Sequence, residues 1–592
     1  MTTRANLHGR PVPASPYRAP AGPRLRPVPA ADLRRLGQPP LRSEDEVMRP
    51  ESLGAMQPSA LSCGRYFVEL MVARGWRIEP TVFDLDAVGA GIARYAIHAE
   101  GHVFEFVALS NPPVDGGRSG RVLDGARDTD AGLYEGRATD DQIATMRREM
   151  PKIYGGRASG DTLIWCRCNR SMRFFNHVVA RLAEGLQPDP EAIAETGYLM
   201  RNVGIEGNGI YGTRPFSEYG QDHPLALPYM AQMLAGYMMR EFALDLAEHL
   251  ARVASPDAVP LSREVRHYLG IGNGSAIGLV FFVYNRPAFI GRWLEMRERL
   301  LATAASLRLA PGDPRRHLLS MLLARAADFA TTDRIARQDA QSRTRHVAAL
   351  SRLKALVDDP ADGLDIADLL HRARDLVPAD AAETLASCCM ELVPDLRDRL
   401  LETFFIRETV LPAPRMSLQQ IADLIARDYG WVGQLDLDSP QAAHFIWYQS
   451  ISNDEPRRCT RFDTPLPPNM LRDVAREVRD LRDGIAAFGS EGDMATYLLV
   501  HPAHRAAIQR IELLADARFH TPHCNPFDAG FDALSLVRLV MIGFYGLDRP
   551  VDFLGRNARG IMFQGAPSRD ALGAPLSPGW FYPELPGVSH DH

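Results

Sequence analysis

Between residues 226 and 252, Met230, Leu234, Met238, Phe242, Leu246 and Leu250 recur every four positions. That spacing stacks six large apolar side chains on one helical face. It predicts a helix over Ala226–Arg252, with Arg240, Glu241, Glu248 and Arg252 set off the apolar face.

Neighbouring segments carry the same period. Asp140–Glu149, Ser171–Glu184, Ser275–Leu307 (broken at Pro287) and Arg315–Asp358 read as helices, and shorter ones follow beyond Pro360. A helix over Pro188–Val203 is expected to stop at Gly204. Upstream the period changes to two. Val82–Asp86, then Ala93, Tyr95 and Ile97, then Phe104, Phe106 and Ala108 alternate across the turn at Glu100-Gly101. These three runs predict a small antiparallel meander within Trp76–Ser110, followed by a Gly- and Asp-rich loop over Asn111–Thr139. The expected fold class is predominantly α-helical (α+β), a small meander near the N-terminus leading into two helical domains.

At 592 residues the chain exceeds one ordinary core. Residues 1–57 read as a disordered Arg- and Pro-rich arm, since Pro11-Val12-Pro13 and Pro27-Val28-Pro29 can bury little. Residues 58–138 are expected to hold the meander, 139–360 a first helical domain and 361–592 a second.

Only Lys152 and Lys354 are lysines, and neither ends a phosphate-binding loop nor sits in a kinase-type strand. A P-loop NTPase, a protein kinase and a pyridoxal-phosphate enzyme are therefore set aside. A net charge of −6 makes nucleic acid an unlikely partner. Seven cysteines, two of them adjacent, with no secretory leader fit a reducing cytoplasm. The longest apolar run, Ala276–Tyr284, is too short to span a bilayer.

Two glycine-rich segments share a Gly-Asn-Gly core: Gly204–Gly212, holding Asn208, and Gly270–Gly278, holding Asn273. Each is expected at a helix end, where glycine lets backbone N–H groups approach a ligand. With the residues around them they predict one anion pocket between helices. Glu206 and His223 are its candidate proton carriers, and Asn208, Tyr211, Arg214, Asn273 and Ser275 its candidate binding residues. No metal is expected, because His520, His523 and Cys524 lack a fourth donor and crowd one bend. The cofactor stays unspecified. The leading expectation is an enzyme performing acid–base chemistry on a small anionic metabolite, possible as a homo-oligomer. A non-catalytic helical scaffold is the alternative, and a nucleic-acid accessory protein a distant one.

Overall fold

The computed structural model describes residues 40–47, 60–112, 128–150, 162–206, 223–225, 230–273, 287–334, 339–359, 363–407, 415–434, 436–437, 471–515, 519 and 560–587. Helix makes up 58% of what can be interpreted, so helical content is substantial. The arrangement differs from the expected one. In place of a small meander, the N-terminal part forms a curled, mixed eight-stranded sheet, a half-barrel.

Its strands are β1 (Arg77–Leu85), β2 (Gly91–Ala99), β3 (His102–Ser110), β4 (Thr129–Glu135), β5 (Thr162–Arg170), β6 (Tyr198–Glu206), β7 (Gly270–Asn273) and β8 (Gly560–Met562), in that spatial order. The pair β6–β7 is parallel, and every other neighbouring pair in this sheet is antiparallel. The expected meander is β1–β3. β4 falls in the expected loop, β6 in the expected helix and the first glycine-rich segment, and β7 in the second, while β5 lies in a stretch given no element and β8 comes from near residue 560.

Glycines explain the misreading. Glycine weakens a strand and reads as a turn or a cap. Here it permits close packing inside the sheet. A Cβ on Gly132 of β4 would lie 2.8 Å from the Tyr134 ring, and one on Gly272 of β7 would lie 2.7 Å from the Tyr198 ring. Gly204 lies within β6, so the helix expected to end there is shorter. It runs over Pro190–Thr196 and stops at Gly197, whose φ of 70° suits only a residue without a Cβ.

The helices frame the sheet: α1 (Cys63–Ala73), α2 (Asp140–Glu149), α3 (Met172–Ala183), α4 (Pro190–Thr196), α5 (Met230–Ala254) and α6 (Arg263–Tyr268). One sheet face, through Phe104, Phe106, Ala131, Leu133, Ile164 and Cys166, joins the main apolar cluster with α5. The other face, through Val107, Tyr134 and Trp165, packs under Ile143 and Met146 of α2. Thr139 and Gln142 start α2 with a reciprocal capping box. Beyond α6, helices Pro314–Thr332, Ala340–Asp358, Ile366–Leu376 and Ala379–Met390 share a second apolar cluster with Phe581 and Tyr582. Residues 40–47 pack too, Arg42 reaching Glu298 at 2.7 Å and Glu383 at 2.8 Å. Among the described residues no helix is long and apolar enough to cross a membrane.

The helix α5 is buried nearly all round rather than amphipathic. Its charged residues are consequently paired inside. Arg240 donates to Glu241 Oε1 at 2.8 Å and to the carbonyls of Arg266, Leu269, Ala566 and Pro567. Tyr237 donates to Pro567 O at 2.7 Å, and Arg569 donates its backbone N–H to Glu241 and its side chain to Asp245. Tyr95 of β2 donates to the same Asp245 at 2.8 Å. Together these bonds fasten α6 and the 563–572 stretch onto α5.

Burial, helped by the Arg240 and Arg263 guanidiniums, pushes His267 at the end of α6 down to about 4. An imidazole harder to protonate in the folded state than in the unfolded one makes the unfolded chain bind more protons between about 6.5 and about 4. Stability should therefore fall as pH is lowered through that window. Urea midpoints measured across it should drop in the native chain and drop less steeply in His267→Gln. Equal slopes in the two proteins would show that His267 is not the group responsible.

Candidate functional site

Strand directions decide which residues can meet. Because β3 and β5 run antiparallel to β4, and β6 antiparallel to β5, strands β4 and β6 point the same way, as does β7. Their last residues are staggered along the ladder: Glu135 pairs with Phe104, Glu206 with Trp165, and Asn273 with Asn202, which is level through Cys168 with Thr129 at the start of β4. β3 begins with His102 beside the end of β4. The two glycine-rich segments continue from the adjoining strands β6 and β7. Their described parts, Gly204–Glu206 and Gly270–Asn273, are strand, so the first does not close a helix as expected.

The first of these segments leads on from β6 to His223, two residues before Leu225. His223 Nε2 stands 3.6 Å from Glu135 Oε1, and its side chain is only 8% exposed. Its Nδ1 accepts the Leu225 backbone N–H at 3.0 Å. A ring nitrogen that accepts an N–H bond carries no proton, so the neutral ring keeps its proton on Nε2, facing Glu135. The ring meets His102 at 4.8 Å and 68°, and Phe104 at 5.6 Å and 69°. His102 in turn lies parallel to Phe104 at 6.1 Å.

Register explains the grouping. Phe104 pairs with Glu135, and Gly136 donates to Val103 O at 2.8 Å, pinning the β3–β4 end. Strand alternation puts His102 with Phe104, and Glu135 with Leu133, on the face that carries α5. Burial, and next the neighbouring His223, hold the His102 imidazole below its ordinary value, against the opposing pull of Glu135 and Glu100. His102 is therefore neutral at neutral pH, with lone-pair capacity for a proton or an electrophile.

One ligand-type atom from each of His102, Glu135 and His223 lies within 4.8 Å of the other two. Among the described residues no other three His, Cys, Asp or Glu side chains come together in this way. No family model, curated protein or solved structure matches the chain.

Of the residues the sequence singled out, His223 sits in this cluster. Glu206 ends β6 opposite Trp165 of β5, and Asn273 ends β7 opposite Gly560 of β8. Asn208, Tyr211, Arg214 and Ser275 lie outside the described residues, as do His520, His523 and Cys524. Sequence reasoning missed His102 and Glu135. Each adjoins a turn glycine, Gly101 or Gly136, with positive φ. The turn signals were visible, but only strand register joins these two residues to His223.

The buried cysteines do not contribute. Cys166 and Cys168 share one face of β5, and burial pushes both thiols up, Cys166 first of all by loss of water. Such thiols are poor nucleophiles and poor ligands at neutral pH.

Proposed function

We propose that the chain is an enzyme that performs acid–base chemistry on a small anionic metabolite at the sheet corner where β3 begins and β4 ends. The observation that carries this reading is the meeting of His102, Glu135 and His223 within 4.8 Å, where β3 begins beside the end of β4 and the first glycine-rich segment leads on to His223. In this reading Glu206 and His223 carry protons, with Glu135 orienting the His223 ring and His102 as a second base. Arg214 clamps the anion, while Asn208, Tyr211, Asn273 and Ser275 orient it. The protein would work dissolved in the cytoplasm.

The test is native mass spectrometry of the purified full chain, to catch a co-purifying small molecule. It is paired with titration of a panel of citrate, succinate and inorganic phosphate. Losing a hydrogen bond to a charged ligand costs about 1.5–3 kcal/mol, or roughly 10- to 100-fold in affinity. Asn208→Ala and Arg214→Ala should each weaken binding by that much and leave the melting temperature nearly unchanged. Binding that survives both replacements would remove the glycine-rich segments from the site. If no anion bound to the native chain, the reading would fail outright.

A further inference from the structure

We infer that His102, Glu135 and His223 form a three-ligand site for a divalent transition-metal ion of the zinc class. The inference rests on the reading of this corner of the sheet as the functional site, and it names a species that would work there. It requires no particular reaction.

Two imidazoles and one carboxylate are a donor set that zinc accepts when a fourth position is left for water or substrate. The three side chains come from three separate segments: the first residue of β3, the last of β4 and the stretch that leads into α5. His223 Nε2 and Glu135 Oε1 are 3.6 Å apart, longer than a hydrogen bond between them. Two donors about 2.1 Å from a tetrahedral ion stand roughly 3.4 Å from each other, so this pair already has nearly the separation required. The remaining distances are all within 4.8 Å and would have to shorten toward the same separation on metal entry. The ring contacts of both histidines with Phe104 limit how far either can turn away. His102 and Glu135 are half-buried, which leaves an open side for a water or an anion.

Binding has a consequence for His223. A ring that ligates through Nε2 must carry its proton on Nδ1, yet Nδ1 accepts from the Leu225 N–H in the metal-free arrangement. Metal entry must shift the proton from Nε2 to Nδ1 through solvent, with no net change in ring charge. The Leu225 amide then loses its acceptor and turns away. A bound ion would thus be felt at the 223–225 stretch ahead of α5, and the dication would add attraction for an anion at the same place.

The experiment uses the full chain, treated with chelator, dialysed and titrated with Zn²⁺ by calorimetry, with metal content measured after gel filtration. The expected result is about one zinc per chain. His102→Ala, Glu135→Gln and His223→Asn should each weaken binding by at least about tenfold, with melting temperature followed to confirm folding. Co²⁺ in place of Zn²⁺ should give visible d–d absorption that is lost in the same variants. In the native chain, the Leu225 amide and the His223 ring nitrogens should shift on zinc addition by NMR. Failure to load a stoichiometric ion would overturn the inference. So would zinc retained in all three variants, or zinc lost only in His523→Ala. An anion panel that responds in chelator-treated protein which takes up no zinc would sink this inference alone. Zinc binding without any response to the panel would support it and sink the functional reading.

Discussion

Replacing Arg240 with alanine is expected to cost about 3–5 kcal/mol of folding stability, the usual penalty for breaking a buried ion pair from one side. The exposed Arg74–Glu100 pair sets the contrast, since a surface pair contributes about 1 kcal/mol or less. Arg240 is 1% exposed and all its donors point at protein acceptors. Its loss strands Glu241, itself fully buried, together with four carbonyls that no water can reach without opening the core. Burial already raises Glu241 above the ordinary carboxylate range, and Arg240 is the first group opposing that rise. Without the guanidinium, Glu241 should rise further, opposed by the backbone N–H and side chain of Arg569. Urea unfolding measures the stability loss, and limited proteolysis should show residues 563–572 released before the sheet is cut. Arg240→Lys restores the charge but not the five-donor fork, so it should recover only part of the loss. A loss below about 1 kcal/mol would mean that the network is not holding the C-terminal stretch.

The second large effect is expected from Gly270→Ala at the start of β7. A Cβ there would lie 2.4 Å from both Met562 O and the Ile561 side chain. A side chain can swing aside, but the carbonyl belongs to β8 and moves only if the β7–β8 pair opens. Overpacking of this kind costs about 1–3 kcal/mol. The amides of residues 560–562 should then exchange with solvent faster than in the native chain, by hydrogen–deuterium exchange. Gly573→Ala is the control, because nothing lies within 4 Å of a Cβ there. Equal effects from the two replacements would show that close approach at Gly270 is not the cause.

That glycine also shows where reading the chain from its residues succeeds and fails. Periodicity located α5 to within a few residues, since Met230, Leu234, Met238, Phe242 and Leu246 repeat over several turns. It likewise located β1–β3, whose turn at Glu100-Gly101 has positive φ at both residues. It failed where strand residues are chosen for contact rather than pattern. Gly132, Gly204, Gly270 and Gly272 looked like turns and helix caps, so β4, β6 and β7 disappeared from the expected fold. Charge on α5 misled for a related reason. A face bearing Arg240, Glu241 and Glu248 reads as solvated, and only the tertiary partners Arg266 and Arg569 make its burial affordable.

The candidate site was legible to a smaller degree. His223 drew attention through the glycine-rich segment that precedes it, which is a local signal. His102 and Glu135 belong beside it only because β3 and β4 pair with Phe104 opposite Glu135 and end together. A ladder between residues so far apart in sequence has no local signature, because register is set by the packing of whole strands. The parallel β6–β7 pair sets Asn202 beside Asn273. The shared Gly-Asn-Gly core gave no sign of these strands, and the meeting of the two cores that it suggested falls outside the described residues.

The place of β8 in the sheet bears on how the protein is made. This strand pairs with β7 although nearly half the chain lies between them. While the ribosome is still adding those residues, β7 already has β6 beside it but lacks its other neighbour, so one row of amides and carbonyls stays unmatched. Sheet completion therefore waits until β8 has been made, a closure of high contact order that is slow by nature. Until it happens the nascent chain is open to strand addition by other chains, and a messenger cut short before codon 560 would leave that vulnerability permanent.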